Sequence, residues 1–348
     1  MKDVQTWIPA SGRVREIRRL AVLDGGESAV RVLLAVADAV RNDVIPPVGT
    51  LVLHPEPAGR AWYGREADDT LALGEDLLAV DPGGRVRVRQ TAHDHVVELL
   101  AGRGVDTVWI GRDLIDDVQD LTARCEKAGL TVVGPSSSTI HLVEDPPTLR
   151  RLATEAGVPV RPQAPDGVSG NHPGPGRHVE VEVVADDAGT VWPLATYDVT
   201  VRRKGRPVVT TSGCPGAPAE VLAAIRDAAV RLTTAVGYRG AGTVRFLVTA
   251  AGEFFLTGVD TRPRADRALT EEITGIDPVI SRLLLAAGAP LVGPAPEPDG
   301  HVVEVQLFAR DAGKDFTDAP GRVALLSLPS DSGVRVRAGI REGDVVPA

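Results

Sequence analysis

Residues 240–275 read GAGTVRFLVTAAGEFFLTGVDTRPRADRALTEEITG. Two apolar runs flank Ala251 and Gly252, which predicts an antiparallel hairpin turning at that pair. A charged turn follows, with Asp260, Arg262, Arg264, Asp266 and Arg267, and a helix-like run succeeds it. Asp260 and Arg262 share one face of an extended segment and Arg264 continues it. Guanidiniums at the carboxyl end of a strand can meet phosphate or carboxylate in bidentate fashion. A magnesium site needs hard oxygen ligands. Asp260 is one, but Thr257 and Gly258 are its only strand neighbours, so an anion pocket fits better than a metal-phosphate site.

Outward from the hairpin, the second half keeps its antiparallel character. HVEVEVVAD and TVWPLATYD alternate with period two and predict a pair joined at Asp187 to Gly189. PAEVLAAIRDAAVRLTTAVG predicts a long amphipathic helix, and DPVISRLLLAAG another. HVVEVQLFAR predicts a strand; VALLSLPS, VRVRAG and DVVPA predict short strands or turns. The first half differs. IRRLAVLDGG, TLVLHP, DDTLALG, VDTVWIG and LTVVGPS read as strands; ESAVRVLLAVADAVRN, DHVVELLAGRG and residues 114–130 read as helices between them. Such alternation implies a mostly parallel sheet covered by helices. A Pro-initiated helix is expected from residue 146. Residues 161–177, rich in proline and glycine and without periodicity, predict a linker.

The 348 residues suffice for two or three compact units. Aromatics are only 3%, so aliphatic residues must fill the core. A formal net charge of −9 excludes a general nucleic-acid binder, although RRKGR at 202–206 can attract an anion locally. The N-terminus has no apolar run of signal-peptide type, and no stretch is long enough to span a membrane. Two cysteines, Cys125 and Cys214, form neither a disulfide framework nor a metal spacing, so a cytoplasmic location is expected. Cys125 reads as a core residue, and Cys214 has no neighbouring histidine to activate it. His93 and His95 read as surface histidines at a helix start; His178 and His301 each begin a strand. DGGESAVR at 24–31 reads as an ordinary strand-to-helix turn lacking the glycine fingerprints of nucleotide sites.

Taken in order, AGLTVVGPS (128–136), EAGVPV (155–160), RHVEVEVVAD (177–186), VGYRGAGTVRFLV (236–248), TEEITGIDPV (270–279) and PGRVALLSLPSDSGVRV (320–336) resemble the biotin carboxylases, the ATP-grasp component of acyl-CoA and pyruvate carboxylases. The resemblance implies an α/β fold, with an open parallel-sheet N-terminal domain and an α+β ATP-grasp C-terminal part. It implies an extension at 1–16, the N-terminal-like domain at 17–135, a helical connection at 136–160, and a linker at 161–177 in place of the family's lid subdomain. A truncated C-terminal-like domain then covers 178–348.

The family phosphorylates bicarbonate with MgATP and carboxylates biotin on a carrier. Its metal-ligand positions fall on Arg245, Gly258 and Asp260, so the resemblance implies no metal here. Its catalytic glutamate falls on Asp266. Arg262 matches the turn arginine, Arg335 the bicarbonate arginine, and Arg203 is kept from the nucleotide segment. An acidic family position is Arg337. Family lysines fall on Pro146 and Pro207, and a nucleotide-facing histidine on Gly205. Arg65, Asp68 and Asp69 match a family surface turn without chemistry. Arg262 and Arg335 are either a remnant anion pocket or structural ion-pair partners.

The implied function is a biotin carboxylase-like pseudoenzyme, without a cofactor, supporting an acyl-CoA carboxylase-type complex. The implied partners are a second copy, a carboxyltransferase or a biotin carrier protein, together with a possible small anion. An ATP-dependent ligase completed by a partner chain is the alternative, and a small-anion or acyl-ligand sensor a third.

Overall fold

The computed structural model describes residues 14–346 apart from 56–61, 81–84, 112, 162–175, 204–205, 263–268 and 339. All but residues 161, 176 and 177 of the 161–177 linker expectation, most of the 1–16 extension, and Gly205, Arg264 and Asp266 therefore lie outside the described residues; Arg177 opens a strand.

In the first half, β1 (Arg19–Leu23), β2 (Gly49–Pro55), β3 (Asp69–Leu73), β4 (Thr107–Ile110) and β5 (Thr131–Val132) form a sheet ordered β3-β2-β1-β4-β5. Every pairing is parallel, with Ala21 opposite both Leu51 and Val108. Leu20 to Leu23 are fully buried because helices cover both faces. On one face α2 (His93–Gly102) and α3 (Val118–Lys127) bring Val96, Leu100 and Leu121 against Leu23, Leu51 and Leu53. On the other, α1 (Gly26–Arg41) packs Val32, Leu33 and Val36 on Leu20, Val22 and Trp109. β5 is shorter than the LTVVGPS pattern suggested: only Thr131 and Val132 pair before Gly134 and Pro135 turn the chain. α4 (Ser137–Glu144) and α5 (Pro146–Glu155) make the helical connection. Pro146 occupies the first turn of α5, where its missing N–H is harmless, and Asp145 caps that helix by accepting from Thr148 N at 3.0 Å.

The second half is an antiparallel sheet built from β6 (Arg177–Ala185), β7 (Val191–Asp198), β8 (Val209–Ser212), β9 (Gly240–Val248), β10 (Phe254–Asp260) and β11 (Val303–Val305). Its order is β10-β9-β6-β7-β8-β11. Both hairpins turn where the pattern placed them: Asp186 N donates to Thr190 O, and Thr249 N to Glu253 O. Alternate residues Val179, Val181, Val244 and Phe246 face α6 (Ala219–Ala235) and bury Ile225, Ala229 and Leu232. α7 (Leu269–Thr274) and α8 (Pro278–Ala286) follow the charged turn. Val279, Ile280 and Leu283 of α8 join the core of the first half, so the two halves share one apolar contact. Asp277 caps α8, accepting from Val279 N and Ile280 N, and also binds Arg31 of α1 at 2.9 Å.

Two expectations are corrected. Residues 323–330 and 334–338 form no strand; only Gly321–Arg322 pairs, with Val345–Val346. Beyond Leu291 no described residue is buried, and Leu307 and Leu325 are 86% and 77% exposed, so these apolar runs have no neighbour strand to order them. His93 is not on the surface: it is 1% exposed, its Nδ1 2.7 Å from Asp120. His95 is exposed as expected.

Candidate functional site

The face of the second sheet opposite α6 is polar, because strand pairing puts cross-strand neighbours on the same side. β6 contributes His178, Glu180 and Glu182, and β9 contributes Thr243 and Arg245. β10 contributes Gly258 and Asp260, and β7 contributes Tyr197. At one end, Arg282 of α8 reaches Glu182 at 3.2 Å, both almost wholly buried. Thr270 donates to the same carboxylate and lies 2.6 Å from the Tyr197 hydroxyl. The Arg282 guanidinium also stands 5.9 Å from the Trp109 ring, tying this network to β4. Neither glutamate nor Arg282 was singled out in sequence. The signal was a charged residue inside the apolar run of α8 and two acidic residues in the alternation of β6.

At the other end, Arg245 and Gly258 sit directly opposite one another. A Cβ on Gly258 would stand 2.9 Å from Arg245 Nη2 and 3.6 Å from its Nε and Cζ, so the guanidinium fills the space above the glycine. Gly258 also has φ +155°, a conformation L side chains rarely adopt. The backbone therefore strains any side chain at position 258, and the guanidinium would have to move aside for one. Arg202, in a short hairpin before β8, shares this neighbourhood with Glu180 and Arg245, and its Nη1 lies 3.3 Å from His178 Nδ1. Burial first, then the Arg202 charge, holds His178 below the ordinary imidazole range.

The remaining candidates are scattered over several partners. Arg262 donates its backbone N–H to Asp260 and its Nη2 to the Asp116 carbonyl at 3.3 Å. It faces Glu144, whose carboxyl burial pushes upward while Arg262 pulls it back. Arg335 is 60% exposed and bound to Glu272. Arg337 lies 3.6 Å from Glu271, which also receives Arg31. No contact joins Arg262 to Arg335 among the described residues. Arg203 pairs with Asp315 and stacks on Phe316 at 4.5 Å. Cys125 is fully buried, and burial pushes the Cys214 thiol up to about 11, beside Asp198.

A second polar centre lies at the carboxyl end of β1, beside β4, where the strand order reverses. Asp24 is 1% exposed and accepts from Ser28 Oγ at 2.6 Å, Gly25 N at 3.0 Å and Asp113 N at 3.2 Å. Burial, only partly offset by these bonds, pushes its carboxyl up to about 6. Burial first, and then the Asp24 and Asp113 charges, push Tyr63 up to about 12. The turn at 24–31 is thus less ordinary than its sequence suggested. Two surface hollows, of 170 and 370 Å3, lie away from both centres.

A parallel open sheet joined to an antiparallel sheet with a polar cleft face is the architecture of ATP-grasp proteins, and the comparisons agree. Residues 16–140 match the biotin carboxylase N-terminal domain, and residues 174–293 match the carbamoyl-phosphate synthase L chain ATP-binding domain. The chain belongs to the biotin carboxylase/ATP-grasp family. It is similar to the alpha3 subunit of a biotin-dependent acyl-coenzyme A carboxylase from Mycobacterium leprae. The two are 26% identical over 401 aligned positions, covering 97% of this chain and 64% of that one. It is 25% identical to biotin carboxylase of Haemophilus influenzae, covering 95% and 84%. Among solved structures it resembles Rhizobium etli pyruvate carboxylase (TM-score 0.82, 25% identity, 95% of this chain and 33% of that one). It also resembles the biotin carboxylase domain dimer of Hydrogenobacter thermophilus 2-oxoglutarate carboxylase (TM-score 0.82, 20% identity, 96% and 84%). The chain thus spans 64% of the first of these relatives and a third of the pyruvate carboxylase chain. Among the described residues, no helix is long and apolar enough to cross a membrane.

Proposed function

We propose that this chain is a non-catalytic member of the biotin carboxylase family, acting as a supporting subunit of an acyl-CoA carboxylase-type complex. The observation that carries the reading is the Arg245 guanidinium lying over Gly258. The family resemblance implies metal-ligand carboxylates at both positions. Here one has no side chain and the other brings a positive charge into the space between the strands. Magnesium does not fit that donor set: a guanidinium repels a divalent cation and offers it no lone pair. No phosphoryl-transfer step is therefore derived through a metal. Arg262, Arg203 and Arg335 are engaged with protein partners and not gathered around one point.

Loss of the lid subdomain is part of the same reading. The alignment with the Mycobacterium leprae relative runs over 401 positions although this chain has 348 residues, so the relative carries positions this chain lacks. The two family models leave residues 141–173 unmatched between them. Without a lid, a kinase-like step loses phosphate-directed N–H groups and the exclusion of water. Association with a second copy, a carboxyltransferase or a biotin carrier protein remains the proposed use of the scaffold.

Calorimetric titration with ATP and Mg2+ tests the reading, and no saturable heat is expected. Submillimolar, Mg2+-dependent binding overturns it. A pull-down from the native source is expected to recover a carboxylase component; light scattering and a pull-down that show only a lone monomer overturn the scaffolding role.

A further inference from the structure

A sealed Nε is common to Arg202, Arg245 and Arg282. What sets Arg245 apart is that Arg202 and Arg282 engage His178 and Glu182 through an Nη atom, whereas no hydrogen bond or ion pair joins the Arg245 guanidinium to another described residue. Its cross-strand neighbour Glu180 is 2% exposed and shares its charge with Arg202. One carboxylate thus serves two guanidiniums on a half-buried face, with His178, disfavoured as a cation by burial and by Arg202, beside them and Asp260 two residues beyond Gly258. A guanidinium drawn partly out of water without partners is costly unless something supplies acceptor oxygens. A planar fork of N–H donors matches an oxyanion with two oxygens in one plane.

We infer that this face binds a small oxyanion, a phosphate or a carboxylate, directly on Arg245 with Arg202 alongside and with no bridging divalent cation. The inference rests on the reading that no metal seats between β9 and β10. It places the anion on the sheet face rather than between Arg262 and Arg335. Gly258 is part of the site: with no side chain there, the guanidinium has room above β10. Either ligand class supplies the same paired oxygens, and separate titrations distinguish them.

The test uses the full chain in EDTA, titrated with inorganic phosphate and, separately, with bicarbonate, each followed by amide chemical shifts. Saturable shifts are expected at residues of β6, β9 and β10 for at least one anion. Arg245→Gln should weaken that binding about tenfold or more, the loss of one charge-assisted bidentate contact, and Arg245→Lys should restore part of it. Arg335→Gln should leave it unchanged. Urea unfolding of Arg245→Gln, expected to match or exceed the parent, separates lost binding from lost folding. Absence of binding by both anions, equal binding by Arg245→Gln, or loss in Arg335→Gln overturns the inference. Failure here with MgATP also silent leaves the non-catalytic reading standing; Mg2+-dependent ATP binding removes that reading whatever the anions do.

Discussion

The two ends of one sheet face solve the same electrostatic problem differently. Around Glu182, a buried carboxylate is closed off by an ion pair with a buried guanidinium from α8, and Thr270 and Tyr197 extend the network from the carboxylate side. Around Gly258, a guanidinium of equal charge has no such partner and occupies space vacated by a side chain. A closed network holds two halves of a molecule together; an open one is available to something from outside. The contrast separates an arginine that maintains the scaffold, Arg282, from one that faces a ligand, Arg245, although both approach the same polar sheet face.

The closed end carries the largest expected effect. Arg282→Leu leaves Glu182 buried without its cation, and unfolding in urea should show a loss of about 3–5 kcal/mol. A loss near zero would erase the contrast. Asp24 should produce the next largest effect, as a pH dependence. Its carboxyl gives up its proton at about 6 when folded and at an ordinary 3.8 when unfolded, so the folded state holds the extra proton between those values. Stability should therefore fall as pH rises through that window, by about 3 kcal/mol in all, and Asp24→Asn should flatten the slope. Unfolding midpoints measured across the window check the sign. The smallest effect belongs to the open end. Gly258→Ala meets both the strained φ and the Arg245 guanidinium, and should cost about 2 kcal/mol. Adding Arg245→Ala should return the part due to contact and leave the part due to backbone. Thermal unfolding of the single and double variants separates the two.

The elements legible in sequence were those decided by local chemistry. The 186–190 and 249–253 turns, the Asp277-Pro278 start of α8 and the helix at Pro146 all follow from caps, turn residues and periodicity. Elements that depend on a distant partner were not legible. His93 is buried because Asp120, a helix away, accepts it. Glu182 is tolerated because Arg282, a hundred residues later, reaches it. Residues 323–338 carry a strand pattern but find no strand to pair with. The candidate site divides along the same line. The positions of Arg245 and Gly258 could be picked out by resemblance, but their mutual contact comes from strand register. The partners of Arg203 and Arg335 come from the segment after residue 300 meeting the sheet hairpin and α7.

The contact between Arg245 and Gly258 also constrains the routes by which mutation can leave or reach this sequence. A side chain at 258 and the Arg245 guanidinium compete for one volume, so a side chain there requires the guanidinium to swing aside. Once both are present, restoring a side chain at 258 alone lowers stability through the backbone, while changing Arg245 alone relieves an unpaired guanidinium. Drift at this spot is therefore freer at 245 than at 258.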